Sequence, residues 1–264
     1  MKNNKEDLLN KEEILSHIND FYYEIDIFDS ISSTNDYVKE KAYQKKEGYV
    51  CISNSQTKGK GRNGKEYFSP KDKGIYMSIL LKPTSSIHDF LKITACASVA
   101  VFDAINKNYG INSSIKWIND LYINDKKIGG ILCESVLNSN NTNIDYMILG
   151  IGLNVHKTKF KNNLSKTVSC IENFTDNFVS RNSLIIDILM FLNKYYNELE
   201  SLTFLKKYKE HSNILHTYIT VNENNTSYTA YVEDIDNNAC LIIRKEDNTQ
   251  VILNCGEVTI RKNK

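Results

Sequence analysis

Residues 56–83 read "QTKGKGRNGKEYFSPKDKGIYMSILLKP", and the way the backbone continues past the glycines decides the kind of fold. Gly59, Gly61 and Gly64 are interleaved with Lys58, Lys60, Arg62 and Lys65, a composition suited to holding an anion with amides and charge. On paper two phosphate motifs match. Gly59 to Gly64 is G-x-G-x-x-G, and Gly59 to Lys65 is G-x-x-x-x-G-K. Both require a helix to start at the last glycine so that its amides face the phosphate, and the second requires Ser or Thr where Glu66 stands. Pro70 and Gly74 interrupt any such helix, and the apolar run "IYMSILLKP" that follows has strand character. The stretch is a loop between two strands, either a basic surface loop or one that gathers charge around phosphate or carboxylate.

Outward from this loop, "GYVCISNS" (48–55) is the strand that enters it. Upstream, residues 6–18 read as a short helix, "FYYEIDIFD" (21–29) as a strand, and "SISSTNDYVKEKAYQ" (30–44) as a helix entered through Ser33 or Thr34. Downstream, a helix is expected from Ile87 to Asn108, with Phe90, Ile93, Ala97, Val101 and Ile105 forming one apolar stripe. "SIKWINDLYINDKKIGGILCESVL" (114–137) reads as two strands joined by a turn near Asn124–Asp125, and "IDYMILGIGLNV" (144–155) as a third. Residues 181–213 return to helix, after which the chain alternates and turns as a small all-β module. A boundary near His216 gives units of 1–215 and 216–264, and an α+β class with a β appendage.

The chain of 264 residues, 41% hydrophobic and 10% aromatic, is long enough to bury a full core. A net charge of +1 argues against a general nucleic-acid binder, so any cationic function is local. Cys51, Cys96, Cys133, Cys170, Cys240 and Cys255 form no C-x-x-C and stand near no histidine at ligand spacing, as reduced core cysteines do. The charged N-terminus lacks a signal-peptide core and no run of eighteen apolar residues occurs, which points to the cytoplasm and away from the membrane.

Three further stretches admit chemistry. In "KWIND", Trp117 suits the core, whereas Asn119 and Asp120 are polar groups at a strand end beside a turn. Lys127 begins the returning strand, where an exposed lysine is the ordinary reading. Gly129–Gly130 weakens a strand unless something approaches the backbone closely, and Gly150 and Gly152 repeat the signal on one strand face, as a flat ligand lying there would require.

In this order and spacing, "SSTND", "GKGRNGKEYFSP", "KWINDLYINDKKIGGIL" and "GIGLNV" resemble the biotin protein ligases, from about residue 24 to the C-terminus. The family's G-R-G-R-x-G, K-W-P-N-D and K-x-x-G-I-L stand here as Gly59–Gly64, Lys116–Asp120 and Lys127–Leu132. The resemblance implies an α+β catalytic domain with a mixed sheet, of the class II synthetase-like kind, and a small C-terminal SH3-like β-barrel. It implies that biotin is activated by ATP and Mg²⁺ to biotinyl-5′-AMP and passed to a lysine of a biotin carboxyl carrier domain, of acetyl-CoA carboxylase or another biotin-dependent carboxylase. Residue by residue, Lys127, Arg62 and Asp120 are the expected catalytic groups, with Asp120 placing metal or orienting the incoming lysine. Ser33, Thr34, Asn35 and Gln56 are expected at the biotin rings, and Gly130, Leu132, Gly150 and Gly152 as a bare floor beneath the ligand. Asn119 and Asn154 fall on the nucleotide side, Trp117 packs against the ligand, and Gly59, Lys60, Gly61, Arg62, Asn63 and Gly64 form a loop that closes over the adenylate.

The sequence departs from the family at Lys60, which keeps charge but loses the planar fork of an arginine, at Tyr67, where Trp is common, and at Ile118, where proline stands. Bifunctional members carry an N-terminal winged-helix domain, and only about twenty residues precede the first catalytic strand here, so no DNA partner is expected. A lipoate or octanoate ligase and a biotin-sensing repressor remain as alternatives, and the chain leaves open a monomer or a homodimer.

Overall fold

A computed structural model describes residues 7–18, 24–83, 89–140, 143–160, 162–223, 226–254 and 257–260. Cys255, the first residues of the strand expected at 21–29 and the start of the helix expected from Ile87 lie outside them.

Seven strands form one mixed sheet in the order β1 (Ile25–Phe28), β2 (Val50–Ser53), β3 (Gly74–Leu81), β7 (Ile144–Asn154), β6 (Lys126–Leu137), β5 (Asp120–Ile123) and β4 (Ser114–Lys116). Only the β1–β2 pair is parallel; every later neighbour is antiparallel. The segment expected to make two strands at 114–137 makes three, because Trp117, Ile118 and Asn119 leave the ladder and turn the chain between β4 and β5.

Helices cover the sheet unequally. On one face lies α3 (Asp89–Tyr109), with Ile93, Ala97, Val101 and Ile105 fully buried as their spacing predicts. It is buried on its other sides too, since Ala95, Cys96, Val99 and Ala100 are equally closed off. The reason is the pair α4 (Arg181–Asn197) and α5 (Thr203–Glu210), which pack over it and split the helix expected at 181–213. On the opposite face α2 (Thr34–Lys41), capped by the Ser33 hydroxyl, covers only the ends of β2, β3 and β7, where Val38 and Ala42 meet Cys51, Leu80 and Ile148. Among the described residues no helix covers the rest of that face.

Residues Tyr218–Ile260 build a second, five-stranded antiparallel sheet, in the order β11 (Gln250–Leu253), β10 (Leu241–Lys245), β9 (Thr226–Ile235), β8 (Tyr218–Glu223) and β12 (Glu257–Ile260). Its apolar side continues the main core through Ile219, Val221, Val232 and Leu241. The link is also polar: the Trp117 indole donates to the Ala239 carbonyl at 2.9 Å. Among the described residues no helix is long and apolar enough to cross a membrane. Cys51, Cys96, Cys133 and Cys170 are buried thiols, and burial raises each of their pKa values.

Candidate active site

Strand pairing sets a row of residues across the uncovered face. Tyr76, Gly152, Gly130, Asp120 and Lys116 are successive cross-strand partners on β3, β7, β6, β5 and β4, with Ser78, Gly150 and Leu132 forming the adjacent row. Partners in register share a face, so glycine in the middle of both rows hollows the sheet, while Asp120 and Lys116 at one end of the first row and Ser78 at the end of the second carry polar groups. Over this hollow lies a cavity of about 390 Å³, within the usual range for small-molecule sites.

The glycines do not leave an open floor. A Cβ on Gly150 would stand 2.2 Å from Asn35 Oδ1, and one on Gly152 would strike the Tyr67 ring at 2.7 Å. What the missing side chains admit is therefore protein first: the N-terminus of α2 seats through Asn35, and the extended segment between the glycine loop and β3 seats through Tyr67. Asn35 is fixed there by Glu134 Oε2, to which its amide donates at 2.7 Å, and by the Ser78 hydroxyl at 2.6 Å. Thr34 donates its amide and hydroxyl to Gln56 Oε1 at 2.9 and 3.1 Å, while Gln56 Nε2 donates to Ser69 at 2.9 Å. Thr34, Asn35 and Gln56 thus form one polar network, joined through the Ser78 hydroxyl, and line the cavity together with Ser33.

The glycine loop comes down over the cavity as a β-hairpin. Lys60 and Glu66 form an antiparallel bridge, Gly61 N donates to Lys65 O at 2.7 Å and Lys65 N to Arg62 O at 3.1 Å. Asn63 (φ 55) and Gly64 (φ 71) are both left-handed, which is the turn an Asn-Gly pair adopts between antiparallel segments. That signal was present in the sequence, and it explains Gly64 without a ligand. Gly59 and Gly64 do not line the cavity. Gly59 is needed because a Cβ would meet Tyr67 O at 2.4 Å, and Gly64 sits at the apex with nothing within 4 Å. Lys60, Gly61, Arg62 and Asn63 do face inward.

Three elements hold the hairpin down. Lys60 pairs with Asp36 of α2, Arg62 Nη1 donates to Asn119 Oδ1 at 2.9 Å, and Lys65 pairs at 2.7 Å with Glu257 on β12. The Lys65 hydrogen bond is the main cause that keeps the Glu257 pKa below its ordinary value. Both members of that pair are more than half exposed, so it sets position more than it adds stability.

Asn119 is buried and fully engaged, donating to Ile131 O at 2.8 Å while accepting from Arg62. Asn154 donates to Ser169 O at 3.1 Å and accepts from the Tyr67 hydroxyl at 3.3 Å. Lys127 Nζ lies 2.6 Å from Asp120 Oδ1, half-buried at the cavity wall. Trp117 also borders the cavity, and beyond the expected residues so do Lys65, Lys116, Tyr67, Phe160, Thr167 and Glu257. The last comes from a different sheet, which no local pattern announces. Burial pushes the Tyr67 phenol well above its ordinary value, so it stays neutral and serves as a donor.

Residues 27–154 match the model of the Biotin/lipoate A/B protein ligase family. The chain is 31% identical over 173 residues to the bifunctional ligase/repressor BirA of Bacillus subtilis, covering 64% of this chain and 53% of that protein. It is 36% identical over 130 residues to the chloroplastic biotin–protein ligase 1 of Arabidopsis thaliana, covering 47% and 34%. It thus spans about half or less of the curated relatives it matches. In fold, it superposes on the biotin protein ligase from Aquifex aeolicus in complex with biotin and ATP with a TM-score of 0.77 at 22% identity, covering 91% of this chain and 99% of the other. The glycine hairpin, both hollowed rows and Lys127 all lie within the residues that match the Biotin/lipoate A/B protein ligase family.

Proposed function

We propose that the protein is an ATP-dependent biotin–protein ligase that forms biotinyl-5′-AMP and then biotinylates one lysine of a biotin carboxyl carrier domain, of acetyl-CoA carboxylase or a related carboxylase, in the cytoplasm. The observation that carries this reading is the meeting of Arg62, Lys60 and Lys127 around one cavity, under a hairpin pinned to three separate elements. Units of 1–215 for catalysis and 216–264 for the appended β domain belong to the same proposal.

In the first step the biotin carboxylate attacks the α-phosphorus, the bond to the bridging oxygen breaks, and its electron pair leaves with pyrophosphate. Two anions must approach, and cations in a poorly hydrated site offset their repulsion. Lys127, whose ammonium reaches the cavity wall beside Asp120, would bridge the carboxylate and the α-phosphate. In the second step the acceptor amine attacks the anhydride carbonyl and AMP departs, with Lys127 polarising the carbonyl oxygen. Asp120, freed from Lys127 when that ammonium turns to substrate, has a carboxylate to orient the amine or to touch Mg²⁺. A Mg²⁺ carried on the nucleotide's phosphates would meet the Asp120 carboxylate in the cavity wall, and would there offset phosphate charge.

The family joins biotin and lipoate ligases, and the glycine hairpin in this form favours biotin. Release of pyrophosphate on mixing the protein with ATP and biotin, and none with lipoate or octanoate, is the expected result. Arg62→Gly removes the hairpin's tie to Asn119 in the β4–β5 turn, a charge-assisted contact of about 1.5–3 kcal/mol, so biotinyl-5′-AMP should escape roughly ten- to a hundredfold faster. Escaped adenylate labels lysines on bystander proteins, and labelling that stays confined to the carrier in this variant contradicts the closed-hairpin role.

A further inference from the structure

Lys60, Arg62, Lys65 and Lys127 line the cavity with a carboxylate or amide partner each. Lys116 lines it too, and among the described residues no hydrogen bond or ion pair holds its ammonium. The sheet fixes its place: opposite Asp120 on the last strand, it ends the row that runs from Tyr76 through Gly152, Gly130 and Asp120. Burial lowers its pKa, the Lys127 and Lys65 ammoniums add to the effect, and the carboxylates of Asp120 and Glu257 oppose it. A half-buried ammonium with no hydrogen-bond partner of its own is costly, and a bound anion would offset that cost.

The geometry points to Lys116 as the residue that binds the β- and γ-phosphates of the nucleotide, and the pyrophosphate they become, at the outer end of the cavity. This rests on the adenylating reaction proposed above. Lys127 lies one strand pair inward, beside Asp120, where the acyl and α-phosphoryl groups meet, so a triphosphate extending from that point toward the sheet edge reaches Lys116 next. When the α-phosphorus bond breaks, the electron pair goes to pyrophosphate and no proton is needed. Lys116 would stabilise the departing charge and take no part once pyrophosphate has left.

Two measurements on the full chain test this. Calorimetric titration with inorganic pyrophosphate should show binding weakened about ten- to a hundredfold by Lys116→Ala and largely restored by Lys116→Arg. In kinetics, Lys116→Ala should lower kcat/KM for ATP in pyrophosphate release by the same factor, chiefly through KM. Transfer from chemically prepared biotinyl-5′-AMP to a carrier domain should change by less than about threefold, because that half-reaction contains no pyrophosphate. Unchanged pyrophosphate affinity in Lys116→Ala, or equal losses in both half-reactions, overturns the assignment. The two readings fail separately. A parent protein that binds pyrophosphate through Lys116 but never consumes biotin and ATP sinks the ligase proposal alone, whereas an active ligase whose Lys116→Ala variant binds pyrophosphate normally sinks this one alone.

Discussion

Lys127→Ala is expected to lower the rate of adenylate formation by about 10²–10³, the effect of removing one charge-assisted contact worth roughly 2–4 kcal/mol of barrier. Both steps of the proposed reaction draw on the same ammonium, so transfer from preformed biotinyl-5′-AMP should fall as well. That distinguishes Lys127 from Lys116, whose loss should touch the first step only. The fold should survive, because Asp120, the partner left behind, keeps 21% of its side chain exposed and can be solvated. A variant with an unchanged melting temperature and an unchanged rate would remove Lys127 from the chemistry.

Arg181→Ala should cause the largest loss of stability, about 3–5 kcal/mol, or roughly 10 °C in Tm. Arg181 has no exposed surface, and as the first residue of α4 it ties four distant segments together. Nε donates to Asp7 Oδ2 at 2.9 Å, Nη1 to Asn54 Oδ1 at 2.9 Å and to Gly74 O at 3.5 Å, and its backbone amide reaches Asp7 at 3.0 Å. His156, just beyond β7, meets Asp7 at 2.8 Å from the other side. Removing the guanidinium leaves a buried carboxylate with half its partners. Burial by itself raises the Asp7 pKa, but the hydrogen bonds from His156 and Arg181 outweigh it and hold the group below its ordinary 3.8. Asp7 therefore contributes stability above that ordinary value, and the contribution is lost as pH falls through the lower folded value. The gap between parent and variant should be widest near neutral pH and narrow as the pH falls through the folded-state value of Asp7, where protonation costs Arg181 its carboxylate partner. Urea unfolding at several pH values reads this directly, and a gap independent of pH contradicts the account.

Much of the site was legible because the residues that build it are local in sequence. Strand periodicity around Gly150 and Gly152, the polar strand end at Asn119–Asp120 and the cationic glycine run each belong to a single short segment, and their meeting follows from strand order. The α3 stripe was legible for the same reason, although its periodicity could not show that α4 and α5 would enclose the remaining sides. Other features depend on contacts far apart in the chain. Asp7 and Arg181 are separated by 174 positions, and no pattern in either neighbourhood marks them as partners. Glu257 reaches the hairpin from the second sheet across 192 positions. The sequence shows where the glycines stand but not all that they admit, because a missing side chain does not say what fills the space. Gly150 and Gly152 admit Asn35 and Tyr67, Gly64 serves a turn that Asn63–Gly64 spells out, and Gly59 admits the backbone of its own hairpin. Lys116 escaped notice because it stands in a motif whose Trp, Asn and Asp draw the eye, and only strand register shows that it faces the cavity.

The most direct test of the central claim is mass spectrometry of a biotin carboxyl carrier domain after incubation with the protein, ATP, Mg²⁺ and biotin. The expected result is the added mass of one biotinyl group on a single lysine, dependent on ATP and absent with Lys127→Ala. An unmodified carrier, or a gain seen only when lipoate or octanoate replaces biotin, would contradict it.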